Sequence, residues 1–418
     1  MNNKKLKLLP YMGWLITTVF VFFQFFLQTA SSIMSEDWTR SFHLNPIQLS
    51  NLSAAFFYAY VLMQVPVGIL YDHFKTKNVL VTAALTLAIG CFLLSTAHSY
   101  SLAIIARILM GIGSACGFVG FLKVIINNFP LRQFSFMLGI AETIGMILVT
   151  LGTILLSYLL LRYSWETAMQ ASGVVALLLA VLVGILIRDP VSANDSKPTF
   201  NLSDILKQLK LVVSNKQIIL GSLYGFFIYS IITAFTSLWG FGFLTNTYGY
   251  THTLAAKLIS IVFIGLAVGS PTIGFLSKKY GDNKFLMVIA AICSAVVVSA
   301  IILIPGLPIY LMFILFFLGG FFCSGYVPCL TVIKDSVDNS IQATALAAAN
   351  TLIMASAPVL QILIGALLES HFFGIATTNA INYRYSLIVF PLSSIIAIFI
   401  SLRMSQPKLS INETILAP

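Results

Sequence analysis

The sequence predicts an all-α membrane protein: twelve transmembrane helices in two six-helix bundles, with both termini cytoplasmic. Three observations predict it. Of 418 residues, 59% are hydrophobic and only 9% are charged, whereas a soluble domain carries about a quarter charged residues. So few charges cannot cover a water-facing surface, which excludes a soluble enzyme, a secreted disulfide scaffold and a disordered chain. Apolar runs of the roughly 20 residues that cross a bilayer recur along the chain. The Lys and Arg residues, finally, fall almost all on alternate connections.

The runs cover about 12–34, 48–71, 79–97, 101–126, 134–158 and 166–188 in the first half, and about 217–244, 253–277, 285–304, 308–333, 342–368 and 384–403 in the second. The first follows a basic stretch, MNNKKLKLLP, like the start of a signal peptide. Its apolar part is longer than a signal core and is followed by further spans, so it reads as a retained helix. The longest connection, Arg188 to Lys216, is polar and holds Pro190 and Pro198. It divides the chain into an N-terminal bundle (1–188), a cytoplasmic linker (189–216) and a C-terminal bundle with a short tail (217–418). Within the linker, Asn201 to Val213 has the pattern of an amphipathic interfacial helix.

With the N-terminus inside, 17 Lys/Arg lie on cytoplasmic segments and 4 on the opposite side, Arg40, Arg162, Lys257 and Arg384. That asymmetry sets the N-in, C-in orientation. The excess of basic residues therefore marks cytoplasmic loops rather than a nucleic-acid partner. The five cysteines lie in apolar runs and have no zinc-site spacing, so they read as packing residues. No metal site, no phosphate-binding Gly-rich loop and no cofactor are expected. Transport would then be secondary or facilitative, and the chain a monomer in the bilayer.

An internal repeat supports the two halves. Gly68-Ile-Leu70-Tyr-Asp72-His73-Phe74-Lys75 recurs as Gly274-Phe-Leu276-Ser-Lys278-Lys279-Tyr280-Gly281, at an offset of 206 residues. Each copy closes an apolar run at a basic turn, the mark of a transporter built from repeated bundles.

On these residues the chain resembles the major facilitator superfamily. Gly68, Leu70, Asp72 and Lys77 match the family's motif between the second and third helices, with His73, Lys75 and Thr76 departing from it. Arg107-Ile-Leu-Met-Gly111-Ile-Gly113 matches a second motif, on the fourth helix. Leu238-Trp239-Gly240, Ala349-Asn350 and Tyr383-Arg384 look like the subgroup of bacterial phagosomal nutrient transporters and the lysosomal dipeptide transporter. Some siderophore carriers look similar. The drug-antiporter signature on the fifth helix is absent, where Gly139-Ile-Ala-Glu142-Thr-Ile-Gly145 stands. The resemblance implies alternating access by two bundles in a bacterial inner membrane, with helices 1, 4, 7 and 10 around the central path.

Buried charge is the sharpest local signal. Of the 13 acids only Glu142 falls well inside a run, and a carboxylate at that depth is functional by default. It is a candidate proton carrier or solute contact, or the partner of Lys123 on the preceding run. Arg107 also lies within a run. Its guanidinium stays charged, so it either meets a solute carboxylate or serves the family's structural role in proton coupling. Helical spacing puts Gln24 and Gln28 on one face of the first run, Tyr60 and Gln64 on one face of the second, Tyr229, Thr233 and Thr236 on one face of the seventh, and Asn350 and Gln361 on one face of the eleventh. These are the candidate solute contacts, with packing between helices as the alternative. Gly68, Asp72, Lys77 and Gly274 form the candidate cytoplasmic gating motif, Gly68 allowing close helix approach. The expected function is transport of a small polar organic solute: an amino acid, a short peptide or a nucleoside. A siderophore or drug exporter is the alternative within the family. A polytopic membrane enzyme would need acids at the membrane face and larger external domains.

Overall fold

A computed structural model describes residues 3–130, 134–189, 214–337, 342–370 and 379–405. Every regular element among them is helical. The first half contains α1 (Asn3–Ile33), a short α2 (Ser35–Phe42), α3 (Pro46–His73), α4 (Thr76–Ser95), α5 (Tyr100–Asn128), α6 (Phe134–Leu159) and α7 (Trp165–Leu186). The second half contains α8 (Lys216–Tyr248), α9 (His252–Tyr280), α10 (Asn283–Leu303), α11 (Ile309–Asp335), α12 (Thr344–Glu369) and α13 (Ala380–Arg403). Among the described residues, 11 helices are long and apolar enough to cross a membrane. The 28-residue α3 stands outside those eleven and occupies the second expected run. The expected interfacial helix at Asn201 to Val213 lies outside the described residues.

Polar side chains in the short connections start the helices. Asn45, Ser99, Ser164, Asn215, Thr251 and Asp282 each accept a hydrogen bond from a backbone N–H of the first turn that follows. Each such cap contributes about 1 kcal/mol. The exterior inverts the soluble pattern: Leu151, Leu155, Leu178, Ile185, Val296 and Phe399 are exposed, as expected of side chains that face lipid.

Two helices are interrupted near mid-length. In α11 the helix stops at Cys323 and restarts at Tyr326. In α12 it stops at Met354 and restarts at Ser356. Pro328 and Pro358 are each the third residue after the restart. A proline has no N–H for the carbonyl four residues back and its ring crowds that carbonyl, so the break falls upstream at Ser324 and Met354. α8 departs differently: Ile231–Trp239 is a π-helix between α-helical ends.

Within the first half, α4 packs on α5 and α7, and α3 on α5. Between the halves, α3 packs along α12, α6 along α9, and α1 against α8. Exchanging the halves under the sequence repeat leaves this set of pairs unchanged. Ser32 Oγ donates to the Leu238 carbonyl at 3.0 Å, and these two residues are themselves 206 positions apart. Repeat-related residues touch only where the axis relating the halves passes between them.

One face of the bundle carries the α3–α4 turn, the start of α8 and the end of α13; it is called here the terminal face. There Asp189, past α7, accepts from the backbone N–H groups of Thr76 (2.9 Å) and Lys77 (3.2 Å). The opposite, distal face carries α2 and the ends of α1 and α12.

Candidate functional site

Arg107 is built into the first half rather than turned to a path. It is fully buried. Its Nε donates to the Leu52 carbonyl (3.4 Å), one terminal nitrogen to the Leu27 carbonyl (3.3 Å), and the other to Ser31 Oγ (2.7 Å) and the Ser53 carbonyl (3.3 Å). The Trp38 and Phe56 rings cover it, at 5.5 and 4.9 Å from the guanidinium carbon. The rigid fork of five donors suits this role: it ties α5 to α1 and α3 without a counter-ion. The glycines of the same motif explain the close packing around it. A side chain at Gly111 would strike the Phe56 carbonyl of α3, and one at Gly113 would lie 2.6 Å from the Ala83 carbonyl of α4.

Glu142 crosses the interface. At eight residues past Phe134 it lies about 12 Å along α6 at 1.5 Å per residue. It accepts a hydrogen bond from the Tyr326 hydroxyl of α11 at 3.0 Å. The partner is in the second half, whereas the sequence pointed to Lys123 in the same half. Lys123 is partly buried on α5, five residues before its end and so nearer the terminal face. The Tyr326 ring lies against that of Tyr229, with centroids 4.8 Å apart. Tyr60 is buried and stacks on Phe56, and the half-buried Gln64 donates weakly to the Tyr60 carbonyl at 3.5 Å. Tyr326 was missed from the sequence; its only signal was its place between Gly325 and Pro328, at a helix break.

A second polar cluster joins α8 to α12. Thr233 and Ser356 hydroxyls are 2.6 Å apart, Gln361 Nε2 donates to the Thr233 carbonyl at 3.0 Å, and Trp239 Nε1 donates to the Gln361 carbonyl at 3.1 Å. Gln361 and Thr233, candidates from two different helices, thus come together, and Ser356 and Trp239 join them. Thr236 does not: its hydroxyl bonds to the Ile232 carbonyl of its own helix. The face expected for Tyr229, Thr233 and Thr236 assumed α-helical winding, and the π-helix changes the register. Asn350 is half-buried on α12, one helical turn before the break at Met354, while Gln361 lies beyond it, so the two do not sit on one uninterrupted helical face.

On α1, Gln24 and Gln28 are both buried. Gln24 lies over Gly117, where a Cβ would be 3.1 Å from its Oε1. Gln24 Oε1 and Gln361 Oε1 are buried carbonyl oxygens with no hydrogen-bond donor among the described residues. Buried acceptors of this kind are uncommon and call for an explanation. A small cavity of about 20 Å³ lined by Ile231, Phe235, Val262, Val298, Phe316 and Phe390 is apolar, and its walls offer a water no hydrogen-bond partner.

The gating motif differs from its expected mechanics. Nothing lies within 4 Å of a Cβ placed on Gly68, and Gly274 meets only Val327 at 3.8 Å. Neither glycine is needed for close approach. The side chain of Asp72 lies outside the described residues, and Lys77 contributes its backbone N–H to Asp189. Asp189, not a residue of the motif, holds the first turn of α4, where a negative charge complements the helix N-terminus.

The distal face is sealed by two carboxylates, one from each half. Glu36 of α2 accepts from Thr245 Oγ1 (2.9 Å) and lies 3.4 Å from His252 Nε2. Glu369, ending α12, accepts from Asn45 Nδ2 (3.1 Å) and the Ile47 N–H (3.2 Å) at the start of α3. Sequence reading located these acids at helix ends but gave no hint that they lie across from each other's half.

The model of the Major Facilitator Superfamily matches residues 14–256 and 240–414, so the chain belongs to that superfamily. Among curated proteins, the uncharacterized transporter YybO of Bacillus subtilis is 23% identical over 308 residues, covering 68% of this chain and 70% of that protein. The probable galactarate/D-glucarate transporter GarP of Escherichia coli is 23% identical over 347 residues, covering 74% and 77%. A bacterial homologue of the human lysosomal transporter Spinster, in an inward-facing and occupied conformation, has the same fold: TM-score 0.76, 17% identity, 95% of this chain and 97% of that one. A D-xylose–proton symporter superposes with TM-score 0.74 at 15% identity, covering 95% and 98%. The chain is thus a multi-pass helical membrane protein of a transporter superfamily.

Proposed function

We propose that the protein moves a small polar organic solute by alternating access between residues 1–188 and 217–418, joined by the 189–216 linker. In this reading α3 completes a set of twelve spans, both termini are cytoplasmic, and the protein works as a monomer in a bacterial inner membrane. The observation that carries it is the hydrogen bond of Glu142 with Tyr326 across the halves, and beside it each half buries a glutamine oxygen, of Gln24 and of Gln361, without a donor among the described residues. A polar solute would supply the missing donors. The distal carboxylate pair closes one side, and the terminal face is the side from which the solute would leave or enter.

Amino acids, short peptides and nucleosides carry the hydrogen-bond donors that these buried oxygens lack. Relatives named for sugar acids and neighbours named for nucleosides and xylose support a small polar organic solute as the class. Glu142 is the group through which protons would couple, since it is the carboxylate at membrane depth and its bond spans the two moving halves. Arg107 serves as a brace. The test is counterflow in proteoliposomes over amino acids, dipeptides and nucleosides, with and without a pH gradient. Exchange of one class supports the reading, and loss of the pH-gradient response in Glu142→Gln supports the coupling role. Silence with all three classes would turn the reading toward an exporter of larger solutes.

A further inference from the structure

The groups around Glu142 share one chemical preference. Tyr229 and Tyr326 come from α8 and α11 of the second half and Glu142 from α6 of the first, so three helices and both halves meet. The Tyr229 and Tyr326 rings are in contact, planes 54° apart, and the Tyr326 hydroxyl holds Glu142. An aromatic face carries negative charge density and attracts cations. A carboxylate forms charge-assisted hydrogen bonds with N–H donors. The buried oxygens Gln24 Oε1 and Gln361 Oε1, one in each half, are acceptors without a donor among the described residues. The guanidinium that might have met a solute carboxylate is already engaged by three carbonyls and a hydroxyl.

We propose that Glu142, with the faces of Tyr229 and Tyr326, is a subsite for the ammonium group of an organic amine, amino-acid amide or peptide N-terminus, in preference to a sugar diacid. The proposal rests on the transport reading for the location of the site. Glu142 supplies charge and direction, and the tyrosines supply a dry aromatic wall. The Tyr326 hydroxyl bond keeps one carboxylate oxygen oriented while the other meets the ammonium.

The full chain is tested for binding by thermal stabilisation in detergent and for exchange by counterflow in proteoliposomes. The probes are phenethylamine, leucinamide, galactarate and uridine. Phenethylamine and leucinamide are expected to stabilise and to exchange. Glu142→Gln should weaken their binding about tenfold or more, the scale of one hydrogen bond to a charged group. Tyr229→Phe should retain binding because the ring face remains, and Tyr229→Leu should weaken it several-fold. The melting temperature of each ligand-free variant reports folding separately, and Tyr326→Phe gives a second, milder probe of the carboxylate's orientation. If galactarate or uridine binds and exchanges while neither amine does, the ammonium subsite is overturned and the transport reading stands. If the amines bind in a Glu142-dependent way but no probe exchanges, the subsite stands and the transport reading falls. Absence of binding by all four probes, or amine binding indifferent to Glu142, overturns the subsite.

Discussion

Two charged residues show how context assigns a role. Arg107 is within a membrane helix, yet its partners are neutral: carbonyls of α1 and α3, a serine and two rings. Arg107→Ala would remove four hydrogen bonds to a charged group that tie α5 to α1 and α3, a class of bond worth about 1.5–3 kcal/mol, so the melting temperature should fall steeply or folded protein should be lost. Arg107→Lys should also destabilise, and its effect on KM should not distinguish solutes with and without a carboxylate. A selective KM effect on carboxylate solutes would restore Arg107 as a solute contact. Asp37, on α2 outside the spans, has its pKa raised by burial, with Arg40 and His252 pulling it part of the way back. The folded protein therefore holds this proton more tightly than the unfolded chain does. The stability linked to it grows as pH falls through the raised value and is lost as pH rises above it. Asp37→Asn should remove this acid-side gain, with equal or higher stability at neutral pH, measured by thermal unfolding across a pH series. Composition located both residues; only their neighbours decided what they do.

At the scale of elements, glycine in the sequence was a poor guide to where helices meet. Gly68 heads a family motif, yet a Cβ there meets nothing within 4 Å. Gly111 and Gly365 face backbone: the Phe56 carbonyl in one case, Ser50 and the Pro46 carbonyl across the interface in the other. Gly68→Ala should leave the melting temperature nearly unchanged. Gly111→Ala should cost about 1–3 kcal/mol, as overpacking does, and denaturation in detergent would show the contrast. Equal effects would mean that α3 and α5 separate more easily than their packing suggests. Helix breaks were half legible: of the four prolines expected to break helices, Pro328 and Pro358 lie just beyond an interruption, whereas Pro66 and Pro271 lie inside unbroken helices. The π-helix of α8 has no such signature. It is held by Ser32 of the other half, by Gln361 and by Trp239, and so depends on partners far away in sequence.

At the scale of the whole molecule, the halves are joined at the distal face by reciprocal carboxylates. Glu36→Gln together with Glu369→Gln weakens both joints without removing bulk. The expected outcome is a population shift of a few-fold toward distal opening, since partly exposed pairs are worth little individually. Reactivity of a cysteine introduced at Ser32 toward a membrane-impermeant thiol reagent would report it. Unchanged reactivity would show that the α1–α8 contact alone keeps that face closed. The pairing of α3 with α12 and α6 with α9 follows the repeat. The repeat itself could be read in the chain from the 206-residue offset, because duplicated turns keep their apolar and basic order.

The sequence by itself determined that this is a helical membrane protein, roughly where its spans run, and that Glu142 and Arg107 are its exceptional buried charges. It could do so because a bilayer imposes length and polarity on each helix separately, so the signal is local. Which residue meets which was decided only in the tertiary structure. Glu142 pairs with Tyr326, Arg107 is satisfied by carbonyls and a serine, and Asp189 caps α4. Those outcomes depend on the relative rotation and depth of helices far apart in sequence, which periodicity along one helix does not encode.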